Sequence, residues 1–223
     1  VFQVKNISSG KSIKKFVDEN EPKKAVVIGA GYIALEFASM FANFDTQVTV
    51  LERGNDIMLK EDHDIVTEVK KDLANKGVNI IYNVNTERFE DTESGTIVHT
   101  SNGDYEADAV LLATGRKPNV DLDLDNTDVT LGEHGEIKVN EYLQTDAQHV
   151  YAIGDVKGGM QFTYISLDDF RIVKDQLFGT GVRSTENRGA VPYTVFIDPP
   201  MARVGLTGQE AKNQGYNVIE NAL

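Results

Sequence analysis

Gly29, Gly31 and Ala34 stand in the spacing Gly-x-Gly-x-x-Ala, directly after the apolar run Lys24-Ala25-Val26-Val27-Ile28. Each small residue answers a separate steric demand. Gly29 permits a tight turn. Gly31 lets the backbone come close to a pyrophosphate. Ala34 lets a helix pack tightly on a strand. A helix opening here offers the pyrophosphate its free N–H groups and the positive end of its dipole. Glu52 follows 21 residues after Gly31, at the end of a second apolar run, where a carboxylate would bind ribose hydroxyls. The whole reads as a dinucleotide site over Gly29, Gly31, Tyr32, Ile33 and Ala34. Glu52 favours NADH over NADPH, because a carboxylate repels a 2′-phosphate. Arg53, next to it, could accept that phosphate if Glu52 turned away, so the choice stays open at this level.

These residues need a scaffold. Lys24 to Ile28 and Gln47 to Leu51 read as strands buried on both faces, and Tyr32 to Phe44 reads as the helix between them, giving one βαβ unit. Asp62 to Lys76 reads as an amphipathic helix with Ile65, Val69 and Leu73 on its core face and Gly77 as a left-handed cap. A strand over Val78–Tyr82 comes next. Ser94-Gly95 and Asn102-Gly103 then mark a small antiparallel insert, after which Ala107–Ala113 returns to a buried strand. Residues 119–148 are loop-rich and acidic. Val150–Ile153 reads as a strand. Residues 161–178 read as a helix with Phe170, Val173 and Leu177 as its apolar stripe. Gly179–Gly189 is a boundary loop and Val191–Ile197 is β-rich. Thr207-Gly208-Gln209-Glu210 is a capping box opening a last helix. Tyr216–Ile219 resembles the start of a strand.

Composition excludes several functions. The 223 residues are 40% hydrophobic and 26% charged, as in ordinary globular domains. A net charge of −13 gives no electrostatic footprint for nucleic acid or an anionic membrane. No apolar run is long enough to span a bilayer. The chain has no cysteine, which rules out a disulfide pair, a thiolate metal site or a cysteine nucleophile of its own. A cytoplasmic location is expected. Four scattered histidines form no metal-binding spacing. Asp121-Leu122-Asp123-Leu124-Asp125-Asn126 imitates a calcium loop, but the sixth position is not glycine and the twelfth, Gly132, is not glutamate. No tyrosine has a lysine four residues on, against a short-chain dehydrogenase, and no Gly-x-Ser-x-Gly elbow is present for a serine hydrolase.

Two further motifs end strands: Ala113-Thr114-Gly115-Arg116-Lys117-Pro118-Asn119 and Tyr151-Ala152-Ile153-Gly154-Asp155. With the run from Gly29 to Phe41 they resemble the pyridine nucleotide–disulfide oxidoreductases, the family of glutathione reductase, dihydrolipoamide dehydrogenase and mercuric reductase. The stretch Gly158–Phe170, with Val191-Pro192-Tyr193, Asp198-Pro199-Pro200 and Arg203–Thr207, is most similar to the bacterial branch linked to reactive-chlorine and hypothiocyanous acid resistance. The likeness runs from about residue 22 to residue 212. Before Pro22 it is closer to the NADH-oxidase-like members.

The resemblance implies an α/β fold: a Rossmann-like parallel sheet with a small antiparallel insert, the second part of an FAD-binding lobe, and the first strands of an α+β interface domain. It divides the chain into 1–21 (end of a first FAD-lobe segment, or linker), 22–118 (NAD(P)-binding), 119–188 (second FAD-lobe segment) and 189–223 (start of a dimerisation domain). It implies that Ala113, Thr114 and Gly115 lie where the NAD and FAD domains join, with Thr114, Gly115 and Arg116 among the cofactor-binding residues. Gly154 and Asp155 would bind the ribityl chain of FAD. The helix opening near Phe162 and Thr163 would aim its positive end at the flavin pyrimidine ring. Tyr32 would cover the flavin until nicotinamide displaces it, and Glu36 would sit near the nicotinamide amide. The partners implied are dinucleotide, flavin, missing segments of a parent chain and a second subunit. The family's redox cysteines are absent, and the first residue is not methionine. The chain is therefore expected to be the central piece of a longer enzyme, inactive alone. A stand-alone dinucleotide-binding module without catalysis is the alternative.

Overall fold

The computed structural model describes residues 1–221. By its contacts the chain divides into one unit formed by 1–115 and 192–223 and a second formed by 116–191.

The first unit is built on five parallel strands in the order β1 (Phe2–Gln3), β8 (Ala109–Leu112), β2 (Lys24–Ile28), β3 (Gln47–Leu51) and β4 (Asn79–Ile81). The central strands have almost no polar side chains because both of their faces are covered. Val26, Val27, Val48, Val50 and Leu111 are all buried. Helices α1 (Ile7–Asn20), α2 (Tyr32–Ala42) and α3 (His63–Asn75) connect strands of this sheet. A three-stranded antiparallel insert, β5 (Thr86–Thr92), β6 (Gly95–Thr100) and β7 (Gly103–Ala107), lies between β4 and β8. The hairpin β9 (Pro192–Val195) and β10 (Met201–Val204), followed by α5 (Gly208–Asn213), completes the unit.

The lysine-rich start forms a helix, α1, and a strand of the main sheet. Asn6 caps α1 in a reciprocal capping box with Ser9. The expected α3 face is rotated by one position. Val66, Val69 and Leu73 are buried, whereas Ile65 is 42% exposed. Spacings of three and four residues follow the helix period more closely than two steps of four. Gly77 does take the left-handed conformation, with φ of 79°.

The second unit has little regular structure: two short 3₁₀ turns, Leu124–Asn126 and Gly154–Lys157, and helix α4 (Thr163–Phe178). A small core of Val129, Ile137, Ala147 and Ala152 holds its loops. Val150–Ile153 is not a strand. Tyr151 makes one isolated bridge to Gln144. The predicted stripe of α4 is also displaced. Ile165, Asp169 and Ile172 are its buried residues, while Phe170 and Leu177 are half exposed. Residues 216–219 form no strand.

Candidate functional site

The register of the main sheet gathers the first set of predicted residues. Ile28 pairs with Leu51 on one side and with Leu112 on the other. Gly29, Glu52 and Ala113 therefore each stand one step beyond the C-terminal edge of adjacent strands, the edge where open α/β sheets bind ligands. Gly29 N–H donates to Leu51 O at 2.8 Å, and Ala113 N–H donates to Ile28 O at 2.9 Å.

The two glycines differ. Gly29 has φ of +99°, and a Cβ there would lie 2.6 Å from Ala113 O, so the fold itself demands glycine. Gly31 has φ of −77° and serves as the N-cap of α2 with no side chain to close it. A Cβ on Gly31 would meet nothing within 4 Å. The fold does not need glycine at that position. The missing side chain leaves open space beside the first-turn N–H groups of α2, which have no helical acceptors. The residues present therefore fit a pyrophosphate. Ala34 is fully buried, and Ile33 is on the exposed side of the turn.

Glu52 is half-buried, and its Oε1 accepts from Gly54 N–H at 2.6 Å. That bond sets the direction of the carboxylate. Arg53 is exposed. Glu36, one turn into α2, is also oriented: its Oε1 accepts from Phe196 N–H at 2.9 Å, just after β9.

Tyr32, the first residue of α2, points into a cluster that was not anticipated. Its hydroxyl and that of Tyr193 both donate to Oε1 of Glu61. The two hydroxyl oxygens are 3.5 Å apart, and the rings are 5.8 Å between centroids. Arg203 places Nη1 3.5 Å from the other Glu61 oxygen and its guanidinium 5.2 Å from the Tyr193 ring centre. The Glu61 side chain is 1% exposed. Burial first, then the bonds to Glu61 and Tyr193, push the Tyr32 hydroxyl above the usual tyrosine range. Burial and the Glu61 bond push Tyr193 up to about 12. Tyr193 alternates with Val195 and Ile197, which marks it as inward-facing, but its partner lies 132 residues away and no local pattern names it.

The remaining predicted residues form a second set, beginning just past Thr114 and Gly115, where the first unit ends and Gly115 takes φ of +112°. Arg116 pairs with Asp155 at 2.8 Å through Nη1 and donates from Nη2 to Gln161 O at 3.1 Å. One guanidinium thus ties the Gly154–Asp155 turn to the segment leading into α4. Gly154 has φ of +71°, and a Cβ would come 2.8 Å from Ser166 Oγ. Its N–H donates to Oδ2 of Asp169 at 2.8 Å. Phe162 is the N-cap of α4 and stacks on Tyr164 at 5.3 Å between ring centres, with Thr163 the first helical residue. The Asp155 carboxylate, 40% exposed, and the opening of α4 fit part of a flavin pocket. Among the described residues, no group of three or more acidic, histidine or cysteine side chains could hold a metal ion, and no helix is long and apolar enough to cross a membrane.

The sheet order and the glycine turn at its edge together define a Rossmann-like α/β fold. Residues 2–169 match the family described as pyridine nucleotide-disulphide oxidoreductase, and the chain belongs to it. Among the most similar curated proteins, the probable pyridine nucleotide-disulfide oxidoreductase RclA of Escherichia coli is 45% identical over 86% of this chain and 44% of its own length. Mercuric reductase of Staphylococcus aureus is 39% identical over 91% of this chain and 38% of its own. The solved structure of the HOCl-induced flavoprotein disulfide reductase RclA from Escherichia coli superposes with a TM-score of 0.81 at 44% identity, covering 88% of this chain and 45% of that one. The chain spans less than half the length of these relatives.

Proposed function

We propose that this chain is the NADH-binding centre of a flavin-dependent disulfide oxidoreductase. The observation that carries the reading is the pair of glycines at the sheet edge, one required by the fold and the other facing open space beside the first turn of α2. The first-turn N–H groups of α2 hold the pyrophosphate. Glu52, aimed by Gly54 N–H, accepts from the ribose hydroxyls and disfavours a 2′-phosphate. Glu36, fixed by Phe196 N–H, orients the nicotinamide amide, and Tyr32 yields its place to the nicotinamide ring.

In the second unit Asp155, steadied by Arg116, holds the ribityl chain of FAD, and the open end of α4 places positive potential near the ring. Bound FAD would supply a hydride acceptor for NADH and an electron donor for a disulfide or oxidant. This chain positions the two partners and keeps water from the transfer. It holds no cysteine, so the thiol pair that such a transfer uses comes from other residues of a longer parent, acting as a homodimer. Alone, the chain binds dinucleotide without turnover.

Calorimetry with NADH, NADPH and ADP-ribose tests this. We expect NADH and ADP-ribose to bind, NADPH to bind more weakly, and a mixture of chain, NADH, FAD and a small disulfide to stay unreduced. Failure of every dinucleotide to bind overturns the reading.

A further inference from the structure

We propose that Glu61 is a positioning residue that latches Tyr32, and that nicotinamide must break this latch to bind. The inference rests on the dinucleotide reading above. It is carried by the geometry of the Glu61 cluster, of which that reading uses only Tyr32.

Tyr32 follows Gly31 immediately, so a dinucleotide laid across the glycine turn passes its side chain. The Tyr32 hydroxyl donates to a carboxylate that is almost wholly shielded from water, where such a bond is stronger than at the surface. The carboxylate is held in place from several sides. Tyr193 of β9 donates to the same oxygen, and Arg203 of β10 lies against the other. Arg203 Nη1 also donates to Lys60 O at 3.0 Å. The next residue, Asp62, accepts from Gly208 N–H at 3.0 Å, at the start of α5. The segment 60–62 is thus clamped by the hairpin and the helix after it, so Glu61 cannot follow Tyr32 if the ring swings away. Displacement of Tyr32 costs the whole bond. Glu61 is thus the fixed member of the pair and Tyr32 the one that moves.

A ligand that must break an internal contact binds more weakly by the strength of that contact. ADP-ribose carries the same adenine, ribose and pyrophosphate but no nicotinamide, so it does not meet the latch. The test is a double-mutant cycle of Tyr32→Phe and Glu61→Gln in the 223-residue chain, read by calorimetry with NADH and with ADP-ribose. Tyr32→Phe is expected to tighten NADH about tenfold over ADP-ribose, the loss of one charge-assisted bond. Glu61→Gln keeps an acceptor oxygen but not the charge, and is expected to give about fivefold. In the Tyr32→Phe background it is expected to add nothing.

A purely structural Glu61 would shift both ligands together, or its effect would persist in the Tyr32→Phe background; either result overturns the latch. If Glu61→Gln does not fold, Tyr32→Phe decides alone, and no gain for NADH over ADP-ribose overturns the proposal. Binding of ADP-ribose to the native chain separates the two readings. Its absence overturns the dinucleotide site and the latch with it, whereas its presence with no gain in the variants overturns the latch only.

Discussion

Gly29 and Gly31 are two residues apart and should fail differently when given a methyl group. At Gly29 an alanine would hold a left-handed φ, which costs about 1–2 kcal/mol, and would press its Cβ against the Ala113 carbonyl. We expect Gly29→Ala to lower stability by about 2 kcal/mol or more, seen as a lower denaturant midpoint. At Gly31 an alanine meets no atom of the protein and keeps an ordinary φ. Gly31→Ala should leave stability within about 0.5 kcal/mol. Its NADH affinity should fall by about tenfold or more, since the methyl stands where the pyrophosphate must approach. Equal stability losses in the two variants, or unchanged NADH binding in Gly31→Ala, would show that Gly31 too is only a turn residue.

At the scale of elements, the central parallel strands and α2 are legible in the sequence because continuous burial leaves an unbroken apolar run, whereas the two-residue edge strand β1 leaves none. The glycine turn and Glu52 are legible for the related reason that their spacing is set by one βαβ unit. Helix faces are less so. In α3 the choice between Ile65 and Val66 rests on one step of helix phase, and the larger side chain is the exposed one. In α4 the error has a clearer physical cause. A charged residue, Asp169, is the fully buried centre of the helix face, and Phe170 and Leu177 are turned outward. Asp169 accepts from Gly154 N–H, pairs with Arg188, and has Lys157 Nζ 3.5 Å away. A buried charge is tolerable only with such partners, and those lie 12 to 19 residues distant in a loop and a turn that no periodicity predicts. We therefore expect Asp169→Asn to destabilise the second unit by about 2 kcal/mol, because Lys157 loses the carboxylate beside it and Arg188 keeps only Asp168. Proteolysis would report it as faster cleavage within residues 116–191, with cleavage in the first unit unchanged. Uniform cleavage across the chain would contradict an effect local to this network.

For the whole molecule, the placement of these networks fixes how stability depends on pH. On the acid side Asp198 is held below its ordinary value by Lys76, and Glu210 by the Thr207 N–H. For Asp56, burial works upward, but the Lys70 bond, the Ile57 N–H and the Lys70 charge together outweigh it, so its value is also lowered. A carboxyl group with a depressed value in the folded state contributes stability at neutral pH. That stability is lost as pH falls through the folded value. The alkaline side is governed by the latch. Tyr193 is raised from 10.0 to about 12 and Tyr32 is raised further, chiefly by burial and by bonds to Glu61. The folded state therefore keeps protons that the unfolded chain has released. This contribution is whole below pH 10.0 and drains away as pH climbs toward about 12. Self-repulsion acts in the same direction, because a chain already at −13 gains further negative charge as tyrosines ionise. Thermal unfolding followed across that interval should show a falling midpoint, with tyrosinate absorbance of these two rings appearing only as the fold is lost. Tyr193→Phe removes one titrating hydroxyl of the latch while leaving Tyr32 on Glu61, so its alkaline decline should be shallower than that of the native chain. An unchanged slope in that variant would mean that the Tyr193 hydroxyl contributes nothing to the alkaline limit.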